Sequence, residues 1–116
     1  MVSSRSQLLQ YITGIILIIL VSWHLALRIP WLRGVEDFVS TMTPEIVYRE
    51  ISAFGIALLL LAYASLFHGI NGLRIILLEI HRGRVWDKLV NIASIVAFIV
   101  MAAIATHSVV AVEPPE

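Results

Sequence analysis

Cysteine is absent from the 116-residue chain, which excludes disulfides, zinc–thiolate sites and any iron–sulfur cluster held by this chain. Charge is scarce as well. Asp, Glu, Lys and Arg make up 14% of the residues and cancel to a formal net charge of zero, so no basic field invites nucleic acid. No internal repeat, low-complexity segment or linker is present. What remains is apolar: 59% of the residues are hydrophobic, and the mean hydropathy is strongly positive. A soluble domain of this size needs far more polar surface, so the composition points to a membrane protein with apolar faces left to pack on a partner.

Three uncharged stretches, 6–27, 51–73 and 89–112, take up most of the length. Each reaches the roughly 20 apolar residues that a helix needs to cross a bilayer. With their helical flanks they predict spans over 7–28, 50–80 and 88–111 in one domain covering 1–116: an all-α, integral membrane three-helix bundle. Met1 to Arg5 lead into the first run with no small-residue cleavage pattern, so a retained helix is expected. Trp23, Arg28 and Trp31 form an interfacial belt at its far end. The connection from Arg28 to Glu50 is broken by Pro30, Gly34 and Pro44, and a short surface helix is expected over Val35–Thr41. Thr43-Pro44-Glu45 reads as a helix start. Arg82, Arg84 and Lys88 concentrate positive charge in the second turn, which places that turn and the N-terminus in the cytoplasm of a multi-pass protein of the cytoplasmic membrane.

The chemistry-bearing residues cluster in the second run. His68 lies in an apolar segment, where an imidazole is costly unless something binds or pairs with it. Gly69 and Gly72 remove bulk beside it and would admit a flat ligand or another helix, while Ser65 and Asn71 flank it. Arg74 follows six residues on, roughly 9 Å along the axis, within reach of an anionic group below whatever His68 holds. An imidazole, a small-residue notch and a nearby cation suit a haem with propionates; an imidazole hydrogen-bonded to a neighbouring helix is the alternative. His24 is either a second ligand or an interfacial imidazole, and Arg74 could simply snorkel to the interface. His107 reads as hydrogen-bonded or interfacial, and His81, in the basic turn, as solvated.

Ser65-x-x-His68-x-x-x-Gly72-Leu73-Arg74, with Glu79 beyond it and three spans around it, resembles the membrane-anchor cytochrome b subunits of succinate dehydrogenase and fumarate reductase. Tyr11-Ile12-Thr13-Gly14 is similar to the Arg-Ile-(Ser/Thr)-Gly entry of the family's larger anchor. The resemblance implies one half of a two-subunit anchor that holds a flavoprotein and an iron–sulfur subunit on the membrane, with FAD and iron–sulfur clusters in those partners only. Electrons would pass between succinate and a membrane quinone, and haem b would lie between the two anchors. It further implies that His68 is an axial haem ligand, with Arg74, Gly72 and Ser65 as further cofactor contacts. The chain departs from the family pattern at Glu79-Ile80, where one subtype has Asp-Tyr, at Tyr11, where the larger anchor has Arg, and at Gln7, where it has Ser. His24 is not needed by single-haem members, but it fits the two-haem scheme, which takes one histidine from each of the first two helices. On that scheme His24 and His68, separated in depth by roughly 20 Å, serve different haems. Ser4, Arg5, Ser6 and Tyr11, at the cytoplasmic end, are the candidate quinone contacts. The chain would not itself carry the carbon chemistry.

Two other functions compete. A cofactor-free structural or assembly subunit shares every compositional argument but leaves two histidines in apolar runs unexplained. A transporter half fits less well, because paired interrupted helices are missing and Glu79 lies near an end.

Overall fold

In a bilayer the lipid takes the place of a core, so the outside of the protein can be apolar and the inside is where polar groups must find one another. The computed structural model, which describes residues 3–116 and leaves Met1 and Val2 outside, has that inversion. Among the described residues only Leu78 and Val90 are buried apolar residues, whereas Ser6, Thr41, Glu50 and Asn71 are buried polar ones. Large aliphatic side chains such as Ile15, Ile18, Ile19 and Ile56 are turned outward.

Helix α1 (Ser4–Ala26) starts at Ser3, whose hydroxyl accepts the Ser6 N–H at 3.2 Å. Its inward face recurs at helical spacing through Ser6, Gln10, Thr13, Leu17, Leu20 and His24. Helix α2 is the single turn Pro30–Arg33, closed by Gly34 at φ 68°, where a side chain would be strained. A 3₁₀ turn follows at Val39–Met42. The surface helix expected over Val35–Thr41 is therefore replaced by two short turns on either side of a gap. Pro30 presets the first turn and left-handed Gly34 ends it, and Asp37 starts the second by accepting the Ser40 N–H at 2.7 Å. That backbone bond, with the Ser40 side chain, holds the Asp37 carboxyl below the usual aspartate pKa, so the cap is complete near neutrality and weakens as pH falls through the depressed value.

Helix α3 (Pro44–Ile80) has proline in its first turn, Glu45 near its positive end, and 37 residues. At about 1.5 Å per residue it would run about 56 Å if straight, well beyond a hydrocarbon core of about 30 Å. It breaks at Phe54 (φ −126°, ψ 22°), beside Gly55 and a few residues into the uncharged run. Trp23 of α1 packs edge-on against the Phe54 ring at 5.6 Å. The turn into α4 (Arg84–Val110) is pinned by Trp86, whose indole N–H donates to the Leu77 carbonyl at 2.8 Å and whose ring meets His81 at 5.4 Å. Both outer helices pack on α3 and scarcely on each other, so α3 is the middle of the bundle and a seam runs between α1 and α4. Three of the helices, α1, α3 and α4, are long and apolar enough to cross a membrane.

At the far end from Ser6, one carboxylate ties the loop together. Glu50, 2% exposed, accepts both terminal nitrogens of Arg28 at 3.0 and 2.8 Å and Nη2 of Arg33 at 2.8 Å. Arg28 also donates to the Thr41 carbonyl at 2.8 Å, so α1, α2, the 3₁₀ turn and α3 meet at one cluster. Removing one charge from such a cluster leaves the others buried and uncompensated. Glu50→Gln is expected to destabilise the fold by about 3 kcal/mol. Thermal unfolding of the detergent-solubilised protein, followed by circular dichroism, measures this; an unchanged Tm would show that the cluster is solvated.

Candidate functional site

The polar faces of α1 and α3 meet along a continuous hydrogen-bonded chain. The Ser6 hydroxyl donates to Asn71 Oδ1 at 2.7 Å, and Asn71 Nδ2 donates to the Ser6 carbonyl at 3.1 Å and to Gln10 Oε1 at 2.9 Å. Gln10 Nε2 in turn donates to the His68 carbonyl at 3.0 Å and lies 3.4 Å from His68 Nε2. Thr13 closes the far side, its hydroxyl 3.1 Å from His68 Nδ1. Thr13 spends its only proton on α1 carbonyls, that of Leu9 at 2.8 Å being the nearer, so its oxygen is left to accept from Nδ1–H. The bonding pattern thus selects the tautomer with the proton on Nδ1 and a lone pair on Nε2. Glycines permit this approach. A methyl group on Gly14 would stand 3.3 Å from His68 Cε1, and one on Gly72 would meet Gln10 Nε2 at 2.8 Å. The notch at Gly72 is therefore filled by the Gln10 amide, while the space over Gly69 is open.

Arg74 points a different way. Its Nε donates to Asn91 Oδ1 of α4 at 2.6 Å and its Nη1 to the Ser6 hydroxyl at 3.1 Å. It helps to line a cavity of about 550 Å³ in the seam at the N-terminal end of α1, together with Arg5, Ser6, Asn71, Asn91 and Ser94. Leu9, Phe67, Ile70, Ile95 and Phe98 supply apolar walls, and no carboxylate is among the lining residues. Two guanidiniums over apolar walls suit an amphipathic guest with electron-rich oxygens at its head.

The expected site residues thus divide. Arg5, Ser6 and Arg74 come together at the cavity, and His68 and Gly72 face α1. Ser4, the exposed first residue of α1, and Tyr11, 73% exposed, do not line the cavity. Ser65 is exposed on α3. His24 is on the same face of α1 as Thr13, eleven residues and about 16 Å further along, and its Nδ1 is buried with no hydrogen-bond partner among the described residues. His107 is exposed. Gln10 escaped the sequence reading, and the contacts of Thr13, Asn71 and Asn91 were not legible in it. The signal for α1 was there: uncharged polar residues at positions 6, 10 and 13 trace one stripe on an otherwise apolar helix.

Three apolar helices with polar side chains gathered between them define a polytopic α-helical membrane protein. Over residues 4–106 the sequence matches the family described as succinate dehydrogenase/fumarate reductase transmembrane subunit, and the chain belongs to that family. It is accordingly a membrane anchor of a complex with catalytic subunits. Comparison with curated proteins and with solved structures returns no match.

Asn71 is the joint of the polar chain. Asn71→Leu keeps similar bulk but strips the Ser6 carbonyl and Gln10 Oε1 of their donor, and a loss of about 1–3 kcal/mol is expected. Thermal unfolding in detergent tests it, and a Tm equal to wild type would mean that the buried amide contributes nothing.

Proposed function

We propose that this chain is a haem b-bearing anchor of a succinate:quinone oxidoreductase of the respiratory chain, pairing with a second anchor subunit to hold the iron–sulfur and flavoprotein subunits on the cytoplasmic membrane. The strongest support is the state of His68: an imidazole within the apolar run of α3, its Nδ1–H donated to Thr13 and its Nε2 lone pair facing only the Gln10 amide at 3.4 Å. A hydrogen bond at the distal nitrogen fixes the tautomer and raises the basicity of the ligating one, which is how protein-bound imidazoles are tuned toward metals. The residues fit haem in this respect, provided that the Gln10 amide turns away from Nε2. Haem, when bound, supplies a one-electron centre whose potential follows its axial ligands and burial. With no cysteine in the chain, iron–sulfur clusters belong to a partner, and by the family resemblance FAD belongs to the flavoprotein subunit.

His24 enters as the ligand of a second haem. Its orphaned Nδ1 lacks the partner that buried polar atoms ordinarily have. Thr13 stands opposite His68, which sets His24 about 16 Å away along α1, whereas two imidazoles on one iron sit about 4 Å apart. Each histidine therefore takes its opposing ligand from the other anchor. The quinone head belongs in the seam cavity. There Arg5, Arg74 and Asn91 can donate to its carbonyl oxygens and stabilise charge as it develops, and the apolar walls take the tail. The basic turn lies at that same end of the bundle, so the positive-inside rule puts the cavity on the cytoplasmic side, facing the iron–sulfur subunit.

The alternative, a cofactor-free structural subunit, draws on one observation: Gln10 within 3.4 Å of His68 Nε2 gives both ring nitrogens a neighbour inside the chain. The spectrum of the purified complex separates the two, since a b-type band with bis-histidine character is expected only of the first. Two haems per flavin are expected, with His68→Ala and His24→Ala each removing one. Full haem content in the His68 variant would remove that ligand assignment, and a wild-type ratio of one would return His24 to the interface. Arg5→Gln combined with Arg74→Gln is expected to lower quinone reduction by about 100-fold or more, at one to two donors' worth of transition-state stabilisation. Wild-type turnover would move the quinone site to the partner chains.

A further inference from the structure

A second hollow, of about 320 Å³, lies at the opposite end of the bundle from the seam cavity, beside the break in α3. Its polar side is formed by Arg33, Arg49 and Glu50, and its apolar side by Leu32, Ile46, Ala53 and Phe54. Glu50 is already committed, since both its oxygens are held by Arg28 and Arg33. Arg33 spends only Nη2 on that carboxylate, and Arg49 only Nη2 on the exposed Glu45 at 2.6 Å. The remaining guanidinium N–H groups of both arginines have no partner among the described residues. Three guanidiniums, of Arg28, Arg33 and Arg49, thus share the two carboxylates of Glu45 and Glu50, and the other two acids of the loop, Glu36 and Asp37, make no ion pair with them. An oxyanion that accepts from two guanidiniums answers the spare donors.

The position says where that oxyanion comes from. Residues 51–73 are uncharged, so the hollow straddles the level at which α3 passes from charged loop to lipid. Trp31 and Leu32, 77% and 51% exposed on α2, mark the same boundary, and Phe54 and Ile56 continue the apolar wall outward into the lipid-facing surface. A free phosphate would leave those apolar walls unused. A phospholipid fills both halves, its phosphate between Arg33 and Arg49 and its acyl chains along Leu32, Phe54 and Ile56. The geometry points to a binding site for the phosphate group of an anionic membrane phospholipid in the hollow between α2 and the break in α3.

The test uses the complex purified in mild detergent and reconstituted into nanodiscs of phosphatidylcholine, with or without phosphatidylglycerol, and with inorganic phosphate as a separate arm. Wild type is expected to retain phosphatidylglycerol in native mass spectra and to gain thermal stability from it. Arg33→Gln and Arg49→Gln are each expected to lower retention by about tenfold, the loss of one charge-assisted contact. Arg49 makes no bond to Glu50, so its variant reads the site even where Arg33→Gln unsettles the loop. Arg82→Gln, in the turn at the other end, is the control for general charge. Unchanged retention in the Arg49 variant would overturn the site, as would an equal loss in the Arg82 variant. Inorganic phosphate that reproduces the stabilisation without lipid would overturn the lipid and leave a free-anion site. None of these outcomes bears on haem content, which is read separately.

Discussion

Hydrocarbon offers no hydrogen bonds, and the buried polar groups of the described residues, His24 Nδ1 apart, answer to that. A polar side chain inside three lipid-facing helices must find a protein partner or cost several kcal/mol. Ser6, Gln10, Asn71 and His68 satisfy the demand collectively, each bond fixing the rotamer of the next. The same demand sets the register of α1 on α3. Sliding one helix by a turn would separate Thr13 from His68 and Asn71 from Ser6 together, leaving several buried groups unpaired. Leucine-on-isoleucine contacts, which differ little from contacts with lipid, have no such power to choose a register.

The outer loop meets the same demand with charge. Glu50 alone inside the bundle end would be costly, and so would Arg28 alone; together, with Arg33 and the Thr41 carbonyl, they form a cluster that holds four elements. Such clusters add little net stability over an apolar equivalent, but they are costly to break, which makes them good at fixing one arrangement of a loop. The loop's larger apolar side chains, Trp31, Leu32, Phe38, Val39 and Met42, are exposed and do little to order it.

How much of this could be read in advance follows from the range of the interactions. The three long helices and their all-α bundle were legible because membrane thickness demands a length and a composition, both local properties. The start of α3 at Pro44 was legible because proline and glutamate act within one turn. The short helix expected at Val35–Thr41 went wrong because periodicity in seven residues is weak beside the torsional preferences of Pro30 and Gly34. At the site, His68 stood out as an imidazole in an apolar run, yet its surroundings did not. Gln10 and Thr13 are 58 and 55 residues away in sequence, and only the packing of α1 on α3 brings them to the ring. Arg74 was expected to reach along the helix toward whatever His68 holds. Six residues of helical rotation carry it to a different face, where it meets Ser6 and Asn91.

That placement of Arg74 has a mechanical side. The two outer helices lean on α3 and hardly on each other, and among the described residues no other side chain bonds to both of them. Arg74 is thus a crossbar over the mouth of the seam, anchored to α1 at one nitrogen and to α4 at another. A guest whose oxygens draw on that guanidinium competes with one anchor or the other. Occupying the cavity and spreading the outer helices are then two faces of a single equilibrium, and whatever grips the outside of α1 or α4 gains leverage over how firmly the guest is held.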